Sequence, residues 1–517
     1  MTRCRLWPVW LLLPLLVSCS VNPVTGEKEL TLIGEQQELA IGDKNYGPYR
    51  QAQGGDYVAD PALTAYVQKV GARLAAVADR KLPYEFRVVN DDTPNAWALP
   101  GGKIAVNRGL LLQLDNEAQL AAVLAHEIVH AAARHSAQSM QRGIFLQGAL
   151  VAAGVALGDS QYRELGMLGS SIGANLVKSR YSRDAEREAD TYGMRYMVRA
   201  GYDPAEAVAL QRTFLKLSED KRQDWLSGLF ASHPPSAERV ANNGHELEIL
   251  HAPGGELGRD PYRRATAHLR RTEPAYQAYA QALQALQKDE LDKAAALLDK
   301  AIGIEPKEAL FHVARAGLEQ RRGHKESAAR DYDRAVALNP EYFLPRLKRG
   351  LFLRDRGERE AAQRDLTASV ERLPTADGYF GLGQVAQAAG NRELAVAYFG
   401  QASQSESEVG RQAAQQLATL DLPAHPDRYI QATLLLRKDG QLLLRLKNTA
   451  ALPVSGLRVA IGRQVGPVFR QSVVLNLRGT LGAGETRTLD TVVGPIDAAE
   501  ARGLAARVLQ ASPAGAM

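Results

Sequence analysis

The run from Asn116 to Met140, NEAQLAAVLAHEIVHAAARHSAQSM, decides how the first half of the chain folds. Leu120, Val123, Leu124, Ile128 and Val129 recur at helical spacing, and no Gly or Pro interrupts them. Asn116, with Gln119 three residues on, is placed to cap the helix start. His126 and His130 stand four residues apart on one face of that helix, with Glu127 beside them. Such an H-E-x-x-H spacing can hold one Zn²⁺ between two imidazoles, the carboxylate serving as general base. Zinc lowers the pKa of its bound water from about 15.7 to about 7, so Glu127 can take the proton as that water attacks a peptide carbonyl. The plainer reading is a pair of histidines capping a buried helix. The motif in its helical setting reads as a zinc peptidase site, with one metal per chain.

A catalytic zinc takes three protein ligands and a water. The longer pattern H-E-x-x-H-x-x-G-x-x-H fails, because Ala133 replaces its Gly and Ser136 its last His. His135 lies five residues past His130, about 140° around a continuing helix, which is the wrong side for a ligand. That leaves a downstream carboxylate. The run Tyr181–Tyr196, YSRDAEREADTYGMRY, puts Glu186 and Asp190 on one helix face and Glu188 elsewhere. Glu186 as ligand, with Asp190 orienting a ligand histidine through its other ring nitrogen, fits the way metal sites are buttressed. A solvated, salt-bridged helix face is the competing reading.

Four segments occur in a telling order: Asn95–Leu111 (NAWALPGGKIAVNRGLL), the H-E-I-V-H helix, the E-R-E-A-D run, and Ser232-His233-Pro234-Pro235. Together they resemble the zinc metallopeptidases related to the CAAX prenyl protease and HtpX, in the periplasmic BepA-like branch, over roughly residues 20 to 245. The resemblance implies that Glu186 is the third zinc ligand, with Asp190 as its helix neighbour. It also implies that His233 lies over the metal, where it either stabilises the oxyanion or occupies the water position in a resting state. The alternative for His233 is an ordinary loop histidine before a Pro-Pro kink.

Pro100-Gly101-Gly102 signals a turn, and Lys103, Ile104, Ala105 and Val106 after it read as a strand. Were this strand an exposed edge beside the zinc, it would take a peptide as an added strand by main-chain hydrogen bonds. Extended or unfolded segments would then be the substrates. An ordinary hairpin accounts for the same residues, and the two readings are compatible.

Arg3 and Arg5, the apolar stretch Leu6–Val17 and Ser18 before Cys19 form a secretory signal too short to span a membrane. Leu16-Val17-Ser18-Cys19 resembles a lipobox, which implies that Cys19 becomes a lipidated N-terminus. Ser20 after it resembles sorting to the outer membrane, so the expected place is that membrane's periplasmic face. Simple cleavage, leaving a soluble periplasmic protein, is the alternative. Only two cysteines occur and Cys4 departs with the signal, so the mature chain forms no internal disulfide. Ile144–Gly158 is apolar but too short to span, and reads as a buried or site-covering helix. The net charge of +5 over 517 residues, without any Lys/Arg block, argues against nucleic acid as a partner.

From about Ala275 a fixed period appears. Pro306, Pro340 and Pro374 are spaced 34 apart, as are Ala294, Ala328 and Ala362, while Gly323 and Gly357 keep the same interval. Ala301, Ala335 and Ser369 hold the register, with Gly390, Ala395 and Ala402 one residue early. This is the tetratricopeptide period, small residues standing where paired helices cross. Such repeats stack into a solenoid whose usual role is binding a peptide or partner. Beyond them, Ile430–Leu436 and Gln441–Leu446 flank Asp439-Gly440, a hairpin signal, and Leu457–Ile461, Ser472–Leu477 and Thr486–Val493 follow as strands. The tail after Ala511 is expected to be disordered.

The expected fold is therefore multidomain and mainly α. It comprises a signal (1–18), an α+β gluzincin-type metallopeptidase domain (19–255), a linker (256–272), an α-solenoid of tetratricopeptide repeats (273–420) and a small β-sandwich (425–510). The expected function is a zinc endopeptidase acting on misfolded or misassembled envelope proteins. Its repeats would recruit clients or, as the resemblance implies, the outer-membrane assembly machinery. The second reading is a repeat-based periplasmic chaperone or scaffold whose protease site is latched or secondary.

Overall fold

The computed structural model describes residues 18–31, 33–141, 181–219, 233–252, 254–465 and 468–515. The signal stretch Leu6–Val17 and the apolar stretch Ile144–Gly158 lie outside them. The chain divides into two compact units, Met1–His324 and Lys325–Met517.

The first unit opens with a hairpin, β1 (Ser18–Val21) against β2 (Lys28–Thr31). Helix α1 (Glu35–Ala52) and helix α2 (Pro61–Ala75) follow. A three-stranded sheet then forms from β3 (Glu85–Val89), β4 (Ala96–Leu99) and β5 (Lys103–Asn107), in the order β3-β5-β4. β5 runs parallel to β3 and antiparallel to β4. Gly101 and Gly102 adopt φ of 79° and 82° in the turn between β4 and β5, a conformation costly for a residue with a Cβ. After the one-turn helix α3 (Arg108–Leu111) comes α4 (Glu117–Ala132), which carries the H-E-x-x-H residues. Leu63, Val67, Leu74, Phe86, Val88, Ile104, Leu120, Leu124 and Ile128 are among the side chains of one core that fuses α2, the sheet and α4. On the sheet's other face Tyr46 of α1 packs with Trp97, Leu99 and Ala105. Its hydroxyl donates to the carbonyl of Ile104 at 2.6 Å.

This topology corrects the expectation for residues 103–106. β5 is the central strand, paired on both sides, and Ile104, Ala105 and Val106 are fully buried. The hairpin reading is the one observed. The outer side of β3 is taken by the chain at Gly55–Tyr57, through Tyr57 N to Val88 O and Asn90 N to Gly55 O, both 2.9 Å. Among the described residues no strand pairs with the outer side of β4. A single sequence shows that a segment is a strand, but not which neighbours flank it.

Three further helices, α5 (Arg183–Arg199), α6 (Ala205–Glu219) and α7 (Ala237–Leu250), complete the domain. Residues 256–272 do not form a linker. They contain α8 (Arg259–Ala265) and the start of α9 (Ala267–Gln287), and Tyr262 and Leu269 are buried in the peptidase core. Apolar side chains at those positions leave water only by packing down, so the first repeat helices are built onto the peptidase fold. Helices α10 (Leu291–Ile304) and α11 (Ala309–Arg321) end this unit, with Phe311 in the same core.

Gly42 of α1 faces the β4–β5 turn so closely that a Cβ there would lie 1.9 Å from the Pro100 carbonyl oxygen, whereas a Cβ at Gly303 of α10 would meet open space. Gly42→Ala is expected to cost about 1–3 kcal/mol by overpacking. Gly303→Ala is expected to gain about 0.5–1 kcal/mol from helix propensity. Thermal melts of the two variants should shift in opposite directions; a shared sign would refute this packing.

The second unit continues the repeats with α12 (Lys325–Leu338), α13 (Phe343–Asp355), α14 (Arg359–Arg372), α15 (Ala376–Ala388), α16 (Arg392–Ala402) and α17 (Glu408–Asp421). In both units the periodic small residues are the buried ones. Ala294, Ala301, Ala328, Ala335, Ala362, Ser369, Ala395 and Ala402 are all at 0% exposure, as the crossing of paired helices requires. Two antiparallel three-stranded sheets follow. One is β6 (Ile430–Leu436), β7 (Leu442–Asn448) and β10 (Thr486–Asp490); the other is β8 (Val454–Val465), β9 (Val468–Asn476) and β11 (Leu504–Pro513). Ile430, Leu444 and Leu446 of the first sheet share a core with Val459 and Val508 of the second. Strand β11 was not expected. Its LAARVLQASP is rich in Ala and lacks clean alternation, yet it pairs with β8 from Leu504 to Pro513, so the tail is ordered past Ala511.

Candidate metal centre

Helix α4 begins where Asn116 accepts from the backbone N–H of Gln119 at 2.9 Å, and α5 begins where Ser182 accepts from Ala185 at 3.2 Å. These caps set the phase at which each helix presents its polar residues. The helices meet at Gly193, where an added Cβ would come within 3.3 Å of the His126 backbone nitrogen. The close approach brings Glu186 and Asp190 against the motif histidines.

His126, His130, Glu186 and His233 each offer a donor atom, and the four atoms lie within 4.8 Å of one another. His126 Nε2 is 3.0 Å from His130 Nε2 and 3.5 Å from Glu186 Oε2, and His130 Nε2 is 3.4 Å from Glu186 Oε1. His233 Nδ1 is 2.9 Å from Glu186 Oε1 and 3.3 Å from His126 Nε2. Its Nε2 is 3.5 Å from Glu127 Oε1. All but the partly covered His126 are buried.

Around this cluster each group is held from behind. Asp190 Oδ1 is 3.0 Å from His126 Nδ1 and is itself clamped by Arg239, whose Nε and Nη2 donate to the two carboxylate oxygens at 2.7 Å. Arg239 Nη1 also lies 3.0 Å from Glu186 Oε2. The Tyr181 ring stacks on His130 with centroids 3.9 Å apart, and its hydroxyl is 2.9 Å from Ser136 Oγ.

The donor set fits a metal ion. Asp190 fixes the proton of His126 on Nδ1, so its Nε2 presents a lone pair toward a second imidazole nitrogen and a carboxylate. Lone pairs gathered this closely need a cation. Glu186 Oε2 is buried without a hydrogen-bond partner, Arg239 being near but out of line, which leaves it available as a ligand. Imidazole nitrogens with one carboxylate suit a divalent transition metal.

Electrostatics differ sharply among the three carboxylates. Burial raises the Glu127 carboxyl above its ordinary value, only partly opposed by His233 and His126. Burial acts the same way on Glu186, but the His233 charge and the close imidazoles of His126 and His130 more than reverse it, holding the carboxyl well below the usual range. For Asp190 the reversal comes from Arg239.

The sequence-marked residues His126, Glu127, His130, Glu186, Asp190 and His233 are thus brought together, while Lys103, Ile104, Ala105 and Val106 lie in the sheet's middle strand. Arg239 and Tyr181 were missed. Ser236 caps α7 by accepting from Arg239 N at 3.1 Å, but nothing local in the sequence marks that arginine's partner.

Fold and site define a metallopeptidase domain of the H-E-x-x-H class. Residues 61–245 match peptidase family M48, a family of metal-dependent peptidases. The chain is similar to a beta-barrel assembly-enhancing protease of Yersinia pestis, 31% identical over 43% of this chain and 44% of that protein. The Escherichia coli protein of the same name is 28% identical over 57% of this chain and 65% of its own length. The mitochondrial metalloendopeptidase OMA1 of Schizosaccharomyces pombe is 37% identical over 34% of this chain and 51% of that one. The match spans 44% to 65% of the length of these relatives.

Proposed function

We propose that this chain is a zinc endopeptidase of the bacterial cell envelope. It would degrade misfolded or misassembled proteins in outer-membrane protein quality control, its repeats recruiting clients or the assembly machinery. The observation that carries the reading is the convergence of His126, His130, Glu186 and His233 with Glu127 alongside. The names of the relatives from Yersinia pestis and Escherichia coli support the envelope setting. Anchoring through a lipid on Cys19 belongs to the same proposal, with a soluble periplasmic form as its alternative.

His126, His130 and Glu186 would hold the zinc, which supplies an acidified water and polarises the scissile carbonyl. Glu127 Oε2 is buried with no hydrogen-bond partner, so it has a free lone pair to receive the water's proton and pass it to the leaving amine. An extended substrate would lie along the unpaired side of β4, in place of the strand expected from the sequence. The purified mature chain should cleave an unfolded protein such as casein, lose that activity to a chelator, and regain it with zinc. Inactivity with no bound zinc would refute the proposal.

A resting state in which His233 occupies the water position is favoured by the 2.9 Å and 3.3 Å separations of its Nδ1 from Glu186 and His126. On that reading His233→Ala raises casein cleavage several-fold. If His233 is instead an oxyanion donor, the same change lowers it by about 10²–10³. A latched site also gives the scaffold reading its place, as a repeat-based chaperone whose protease opens on demand.

A further inference from the structure

His135 was set aside as a ligand because a continuing helix would carry it away from His130. The helix does not continue. α4 ends at Ala132, Arg134 takes a left-handed φ of 62°, and the chain turns back before helical geometry resumes over 135–141. Arg134 pays for its strained backbone with two bonds, Nε to Glu38 Oε2 at 2.8 Å and Nη2 to the Ile33 carbonyl at 2.6 Å. The turn delivers His135, 1% exposed, to the back of His130, with their Nδ1 atoms 2.8 Å apart.

Behind His135, Glu188 Oε1 stands 3.4 Å from its Nε2. Glu188 is held in turn by Asn22, whose Nδ2 donates to it at 3.2 Å and to Glu29 at 2.9 Å. The orientation of that amide is settled, since Asn22 Oδ1 accepts from Val24 N at 2.9 Å. Proton placement then follows from what each group can do. A carboxylate only accepts, so His135 carries its proton on Nε2 and presents a bare Nδ1 to His130. His130 must then carry its own proton on Nδ1, leaving Nε2 as a lone pair toward His126 and Glu186.

We propose that His135, backed by Glu188 and Asn22, is a positioning residue that sets the tautomer and ring orientation of His130 for metal binding. The two motif histidines are thereby oriented differently: His126 by the carboxylate of Asp190, His130 through an imidazole interposed before a carboxylate. The inference rests on the metal-site reading above.

The test is zinc affinity of the full mature chain by competition with a chromophoric chelator, together with the visible spectrum of the cobalt-substituted protein. His135→Leu removes the acceptor at similar bulk and should weaken zinc binding about 10- to 100-fold, the range for losing such a support. His135→Asn places an amide oxygen where Nδ1 was and should restore most of that affinity and the cobalt spectrum. Glu188→Ala should weaken binding in the same direction, because His135 is then free to turn a proton toward His130. Wild-type affinity in a folded His135→Leu chain would overturn the proposal, as would equal losses in the Leu and Asn variants, which mark a purely structural role. If the Leu variant does not fold, wild-type affinity in Glu188→Ala overturns it alone. Absence of zinc binding by the wild-type chain would instead bring down the metal-site reading itself.

Discussion

Replacing Glu127 by Gln is expected to abolish casein cleavage, lowering the rate by about 10²–10⁴, while about one zinc per chain remains bound. The expectation follows from where the carboxylate sits. Glu127 shares α4 with His126 and His130 but is not among the four converging donors, so its amide form leaves the metal set whole. Gln keeps the size of the side chain and cannot take a proton, and general-base catalysis by a positioned group accounts for about 10²–10⁴ in rate. Neutralising Glu127 also removes a buried carboxyl that burial disfavours as an anion, so the metal-free variant should be no less stable than wild type. Measuring rate, metal content and melting temperature together decides the matter. Retained cleavage at full zinc occupancy would remove Glu127 from the mechanism.

The second large effect is expected at Arg239. Its guanidinium is the cation facing two buried carboxylates, bonded to both oxygens of Asp190 at 2.7 Å and 3.0 Å from Glu186. Arg239→Leu takes that charge from both, leaving Asp190 with His126 and Glu186 with its histidines. Removing one partner from a buried ion pair costs about 3–5 kcal/mol, and for a domain of this size about 2–4 °C of melting temperature goes with each kcal/mol. A drop of roughly 10 °C in the metal-free chain is therefore expected. Zinc should recover part of it by supplying positive charge to the same carboxylates. Arg239→Lys keeps the charge but loses the two-pronged geometry, so it should fall between. An unchanged melting temperature for Arg239→Leu would show that the clamp contributes nothing.

This pair also gives stability a direction in pH. Asp190 titrates below its ordinary range when folded, because Arg239 more than offsets its burial. Its contribution is complete above the unfolded carboxyl's pKa, about 3.9, and is lost as pH falls further through the folded value. The stability gap between wild type and Arg239→Leu should therefore be full above that pH and narrow below it, because a protonated Asp190 no longer depends on the guanidinium.

Local pattern determined a good deal of this protein by itself. The α4 helix and its cap, the pairing of His126 with His130 and the grouping of Glu186 with Asp190 follow from spacings within one or two helical turns, and the buried small residues of the repeats from a fixed 34-residue interval. Such features are legible because 3.6-residue periodicity maps sequence directly onto a helix face. What lay beyond a continuous element was not legible. His135 is not among the converging donors, but its place behind His130 was not legible, because a left-handed residue at Arg134 ends the helix and no propensity marks an arginine for that conformation. Residues 103–106 read as an edge because strand order in a sheet depends on partners far away in sequence, here β3 and β4. Residues 256–272 read as a linker because the core that buries Tyr262 and Leu269 is assembled mostly from elements distant in sequence. Arg239, His233 and Tyr181 come to the α4 histidines only through tertiary packing, of α5 against α4 and of α7 against α5. The sequence determined which residues could do the chemistry; the tertiary structure decided their neighbours, since desolvation and charge pairing are set by what packs alongside, not by what precedes in the chain.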